Sequence, residues 1–439
     1  MRKVLNTQEL NQLVEKYPSM VDIVSHKGTI GDYYNQFKQK VKPPEVNRKD
    51  KLIKAIAYTA ISIFGEDAKD VISKALETNY CISTAEHHAS ITYSETFNVA
   101  LNQFVVQELH NLPLITLSCS TTTLDNGLYP RGVFYKDQKI PFLASSYKNH
   151  FVYKAPPIEP IRYQYKVETL IKEKAITVQE GEQLASWLDI QYKQLSCISS
   201  YRDQISLLNR NLWRAMIGED LLYPNCDYYM IPAELVAANL LIDDCISNSP
   251  SWVFNTLFDP LYCERILNAL DSVRICWDIT QKKGTFLFWG FTPNDRPVAL
   301  FLEEGYLVST CKQVQIQMKP EVIVQALKEE RIVPASSLVF LYIIFYGGLT
   351  CYGGILQVNY LRDIKEKLIT NNPLGLTQLD LQVIENTPTN RYVNFQELPW
   401  TKGGLEKLNH PVTQHDFIDY KNYDHFCQIQ ECLEYLYSL

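Results

Sequence analysis

From Ile332 to Leu361 the chain reads IVPASSLVFLYIIFYGGLTCYGGILQVNYL, without one charged residue. Such a stretch must leave water, either for a bilayer, which about 20 apolar residues can span, or for a protein core. Gly347 with Gly348, and Gly353 with Gly354, interrupt it, and Gln357 and Asn359 follow. Paired glycines suit positive φ or close backbone approach. The pattern therefore predicts a buried helix entering a glycine-rich turn rather than a membrane span. The turn is expected as packing or as a pocket wall, with Cys351 between the pairs as a candidate substrate contact.

With 439 residues, 46% of them hydrophobic, the chain can bury a large core and exceeds the usual size of one domain. The first 80 residues read as helices. In KLIKAIAYTAISIF the spacing of Leu52, Ile53, Ile56, Ile61 and Phe64 predicts an apolar helix face. LPLITLSCS reads as a strand, and GVFYKDQKIPFLAS as two short strands about a polar turn. Pro156, Pro157 and Pro160 fit neither a helix interior nor a central strand, so a boundary is expected there. A helical region follows, with Thr177 and Glu180 spaced as a capping box. Strands return from Lys283, in GTFLFWGFTPNDRPVALFLEEGYLVST, and Pro320 suits the first turn of a helix. The expected fold is α+β, with mixed α/β as the alternative, in three parts: 1–155, 161–280 and 281–439.

Composition removes several function classes. A formal net charge of -7 lacks the basic footprint of a nucleic-acid binder, and the densest basic patch, VNRKDKLIK, reads as the polar face of a helix. There is no G-x-G-x-x-G, and GLTCYGGI from Gly348 lacks the phosphate-reaching lysine, so no nicotinamide or P-loop nucleotide site is expected. Eleven cysteines, an odd number with no C-x-x-C, suit a reducing, cytoplasmic setting. The start, MRKVLNTQELNQLVEKY, has no apolar run of a secretory signal.

Chemistry is most concentrated in CISTAEHHASITYSETF, where Glu86, His87 and His88 adjoin in a chain with eight histidines. Thr92 and Glu95 are spaced as a capping box ahead of an amphipathic helix carrying Phe97, Leu101, Phe104, Val105 and Leu109. If the preceding stretch is extended, Glu86 and His88 share a face and His87 points away. Glu86 could then orient a His88 that titrates near neutrality, or both could ligate a divalent metal completed by His150, with His110 the less suitable third ligand. Arg131, Lys148 and His87 are candidate holders of a substrate anion. Cys119, on the face of Ile115 and Leu117, is expected to be buried and inert, and Ser118 and Ser120 lack a hydrolase elbow. His410, His415 and His425 lie in a polar tail that could meet the first site in the fold.

These residues point to an enzyme acting on a small anionic metabolite by acid/base chemistry, metal-assisted or not, as a transferase or hydrolase. Glu86, His88 and His150 would be catalytic. The competing class is a non-enzymatic interaction protein, such as a bacterial effector or assembly factor, presenting some of its 28 tyrosines.

Overall fold

The computed structural model describes residues 7–35, 46–108, 111–223, 226–393, 404–423 and 433. The fold is α+β, with helix well in excess of strand. The chain gathers into two compact units: Met1–Gln39, Ala85–Ile231 and Val393–Leu439 form the first, Lys40–Thr84 and Pro232–Tyr392 the second. Both are assembled from separated segments, so they cut across the three consecutive parts read from the sequence. The proline cluster lies inside the first unit, where Pro160 opens the helix Pro160–Lys172.

At the centre of the first unit runs the helix Ser94–Glu108. It is buried from Thr96 to Gln107 on all sides, not along one stripe as an amphipathic pattern implies. Its polar residues are accommodated by side-chain bonds: Gln103 Nε2 donates to the Ile115 carbonyl at 2.5 Å and its Oε1 accepts from Thr116 Oγ1 at 2.9 Å. Phe104 packs on Trp213 and on Phe417 of the helix Gln414–Asn422. The strand Leu114–Ser118 lies beside Tyr228–Pro232. Leu114 N donates to the Asp227 carbonyl at one end and Ser118 Oγ lies 3.4 Å from that of Ile231 at the other, so the two run parallel. GVFYKDQKIP forms the expected hairpin, Gly132–Tyr135 against Gln138–Pro141, with Lys136 and Asp137 at positive φ in its turn.

The second unit holds an antiparallel five-stranded sheet, in the order Gln315–Gln317, Tyr306–Ser309, Pro297–Glu303, Phe288–Phe291 and Ile332–Pro334. It also holds a parallel pair, Cys81–Ser83 with Thr350–Tyr352. The helix Val46–Phe64 buries Leu52, Ile53 and Ile56 as the spacing predicts, while Ile61 and Phe64 are half-buried and Ala60 and Ile63 complete the inward face. Pro320 opens the helix Pro320–Lys328.

The uncharged stretch is core. It passes from the strand Ile332–Pro334 through the short helix Ser336–Phe340 into a π-helical turn, Leu341–Tyr346, closed by Gly347 N donating to the Tyr342 carbonyl at 2.9 Å. A Cβ on Gly347 would stand 2.6 Å from Leu52 of the helix Val46–Phe64, and Gly348 adopts φ 64°, so each glycine of the pair answers a backbone requirement. Among the described residues no helix is long and apolar enough to cross a membrane.

Candidate functional site

The first unit brings Glu86 and His88 into its interior. His88 is 0% exposed and Glu86 3%. The clamp is the helix Tyr201–Met216, whose Arg202, Ser206 and Asn209 recur at helical spacing along one face. His88 Nε2 meets the Arg202 carbonyl at 2.7 Å, and Asn209 binds both Ile91 N (2.9 Å) and the Ala89 carbonyl (2.8 Å). Since a carbonyl only accepts, Nε2 carries the proton, and His88 Nδ1 accepts from Ser118 Oγ at 2.7 Å. The neutral imidazole is thus fully partnered. Burial, helped by the charge of Arg202 against the hydrogen bond to its carbonyl, brings the His88 pKa down to about 4.

Glu86 receives a hydrogen bond on Oε2 from the buried hydroxyl of Tyr228, while its Oε1 meets no partner among the described residues. Burial dominates over that bond and pushes its pKa up to about 8, so at neutral pH the group is mainly an uncharged acid. The hydrogen bonds of Glu86 and His88 go to different partners, not to each other. The expected acid/base pair is therefore two separate internal anchors, because partners far along the chain close over each of them. Ser118 and His88 stand within the reach of a nucleophile and its base, yet both are sealed from solvent and the ring is oriented by a carbonyl in place of a carboxylate.

The other expected residues do not converge on this pair. His87 is half-buried with Nδ1 3.2 Å from Thr122 Oγ1, and His150 is half-buried and packs edge-on to Tyr147. Lys148 is exposed, and Arg131 sits with its guanidinium 5.6 Å from the centre of the Tyr129 ring. Cys351 is 1% exposed in the second unit, donates to the Leu349 carbonyl, and its thiol is pushed well above the ordinary range by burial. Among the described residues no three His, Cys, Asp or Glu side chains gather to hold a metal ion, so Glu86, His88 and His150 are not a ligand set.

Several finer expectations are corrected here. Cys119 is half-buried, with Thr121 Oγ1 at 3.3 Å, because the inward residues at that strand end are Ser118 and Ser120. Thr92 is not a cap: its hydroxyl accepts from Phe134 N and meets Ser90, and the helix begins at Ser94. Thr177 and Glu180 do form their capping box. His410 is exposed, and His415 pairs on the surface with Asp419 at 3.3 Å. Leu109, His110 and His425 lie outside the described residues.

A concave site lies elsewhere, in the second unit. A half-open cleft of about 860 Å³ is lined by one face of the helix Val46–Phe64, by the segment Ser249 to Tyr262, by Tyr346, and by Gly375 to Asp380. Its size falls in the range of small-molecule sites. Arg48, Lys51 and Lys54 project from the helix at intervals of three residues, which places them in one row.

Lys51 is held at the cleft floor. Its Nζ lies 2.5 Å from Asp244 Oδ1 and 3.4 Å from Asp243 Oδ2. The Asp244 side chain is wholly buried and also accepts from Ser251 N (3.0 Å), Ser251 Oγ (2.5 Å) and Tyr342 OH (3.0 Å). Burial works against the Lys51 cation, but the hydrogen bond and charge of Asp244 outweigh it and raise its pKa above the ordinary lysine value. Arg48 is fixed in a similar way: Nη2 lies 2.7 Å from Asp380 Oδ1, and the guanidinium stands 5.2 Å from the centre of the Tyr346 ring. The π-helical turn thus serves the site twice, through Tyr342 and Tyr346.

Sequence reasoning missed this cleft. Its signal was present in VNRKDKLIK, where Arg48, Lys51 and Lys54 recur every third position, a pattern equally suited to a solvated helix face. No protein-family model matches this sequence, nor does any curated protein at a significant level. Fold and cleft together define the class: an α+β protein of two compact units, the second with a ligand-sized polar cleft.

Proposed function

We propose that the second unit binds a small anionic metabolite in this cleft. The observation that carries it is Lys51. An ammonium has three N–H groups. Two are directed to Asp244 and Asp243, and a buried acid with four donors fixes the nitrogen in place. A preorganised cation with a donor to spare favours ligand negative charge without reorganising when the ligand arrives. Lys54, exposed on the same row, pairs with no acid among the described residues and supplies a second cation. Because Asp244 keeps Lys51 charged, its role is to stabilise negative charge in the ligand, not to take up a proton.

The test is a thermal-shift screen of small metabolites against wild type and Lys54→Ala. Stabilisation by anionic compounds that weakens in the variant supports the site. A screen in which no anion stabilises the wild type, or in which the variant responds equally, overturns it.

A second role as an interaction protein is supported by one feature of the first unit. Ile161 and Tyr165, four residues apart on the helix Pro160–Lys172, are 64% and 69% exposed, and Ile190 on the neighbouring helix Val178–Leu195 is also exposed. Apolar surface of this kind marks contact sites when it is contiguous. Light scattering of wild type and Tyr165→Glu tests self-association; an unchanged monomer in both removes that case.

A further inference from the structure

We infer that the cleft's ligand is a hydroxylated ring bearing a single oxyanion: a sugar phosphate or a sugar acid. This class deepens the assignment of the cleft as an anion site and stands only with it. Four properties of the walls select it.

The first is size. About 860 Å³ is far more than an inorganic anion or a free amino acid fills, and suits a ligand of one or two rings. The second is the acids. Asp50 and Asp243 line the cleft among the basic residues, and the Asp243 side chain is 58% exposed. Carboxylates accept hydrogen bonds and repel anions. A polyphosphate or a tricarboxylate would meet that repulsion with no donor to offer, whereas ring hydroxyls supply donors where the acids stand.

The third is the neutral lining. Ser249, Asn255 and Thr256 add hydroxyl and amide groups that both donate and accept, as ring hydroxyls do. The fourth is the aromatic wall. Trp252 and Tyr262 line the cleft, and their broad apolar bodies suit the C–H face of a ring. The oxyanion then falls to the ammonium groups of Lys51, fixed by Asp244, and Lys54, which pairs with no acid among the described residues. Arg48, engaged by Asp380 and Tyr346, shapes the floor beside them.

The experiment is calorimetric titration of the full chain with hexose 6-phosphates, hexuronates, neutral hexoses, inorganic phosphate and citrate, repeated on Lys54→Glu and Trp252→Ala. Lys54 is exposed, so Lys54→Glu is expected to keep the fold, which its melting temperature verifies. The expected result is that at least one hexose 6-phosphate or hexuronate binds about tenfold or more tightly than neutral hexose or phosphate, a difference of about 1.4 kcal/mol. Lys54→Glu should abolish most of that gain and Trp252→Ala should weaken it. Which of the two arms binds identifies the oxyanion as phosphate or carboxylate. Inorganic phosphate or citrate binding as tightly as the sugar anions, with loss in Lys54→Glu, overturns the hydroxylated-ring class while leaving the anion site standing. Binding of none of the probes, or binding indifferent to Lys54→Glu, overturns both.

Discussion

Each unit buries a cluster of ionisable side chains, Glu86 and His88 in the first and Asp244 with Lys51 in the second, and the two clusters are treated in opposite ways. In the first, Glu86 and His88 have no opposite charge beside them, so burial shifts protonation until each is neutral near pH 7. In the second, Asp244 and Lys51 meet at 2.5 Å and the lysine is held as a cation at the floor of the half-open cleft. A buried group without a counter-charge loses its charge and becomes part of the packing; one with a counter-charge keeps it and can present it to a ligand. Scarce titratable residues in a sequence do not reveal which of these will happen. Their distant partners decide it.

The most severe test of this contrast is Asp244→Ala. It leaves Ser251 and Tyr342 without their acceptor and Lys51 with only the more distant Asp243, and a loss of about 3–5 kcal/mol in denaturant unfolding is expected. A loss below about 1 kcal/mol would mean that the pair is not fixed as described. His88→Ala comes next. Removing a wholly buried ring strands Ser118 Oγ and the Arg202 carbonyl, and about 2–4 kcal/mol should be lost by the same measurement.

Glu86→Gln separates charge from packing through pH. The native state holds the Glu86 proton up to about 8, whereas the unfolded chain releases it near 4.5, so Glu86 makes stability fall as pH rises between those values. His88 acts with the opposite sign: its native pKa of about 4 lies below the unfolded 6.5, so stability rises with pH across that window. The two slopes oppose each other from about 4.5 to 6.5, and from 6.5 to 8 only Glu86 of the two still acts. Wild type should therefore lose stability over that last interval, with Glu86 contributing at most about 1.4 kcal/mol per pH unit, and Glu86→Gln should reduce the slope. Identical pH profiles would show that Glu86 is ionised in the native state. The smallest stability effect belongs to Lys54→Ala, which should leave the melting temperature unchanged while reducing the response to anionic ligands.

What the sequence revealed follows the range of the interactions involved. The hairpin about Lys136 and Asp137, the Thr177 cap and the helix start at Pro320 depend on neighbours within a few residues, and all were legible. So was the alternation that sends Glu86 and His88 inward. Their depth was not legible, because Tyr228 and Arg202, which close over them, lie 142 and 114 residues further along. The cleft gathers residues from near 50, 250, 346 and 377, and no local pattern announces that meeting. Arg48, Lys51 and Lys54 were visible as a row, but only the fold puts Asp244 and Asp380 opposite them.

The π-helical turn at Leu341–Tyr346 gives the cleft an unusual sensitivity to chain length. A π turn accommodates one residue more than the α-helical path it replaces, and each residue of a regular helix turns the chain by about 100°. Deleting a single residue there would let the segment relax into ordinary helix and swing Tyr346 away from Arg48 while Tyr342 stayed near Asp244. A one-codon deletion outside the cleft's own lining could thereby retune its floor, which makes this turn an adjustment point for redesign that leaves the basic row itself untouched.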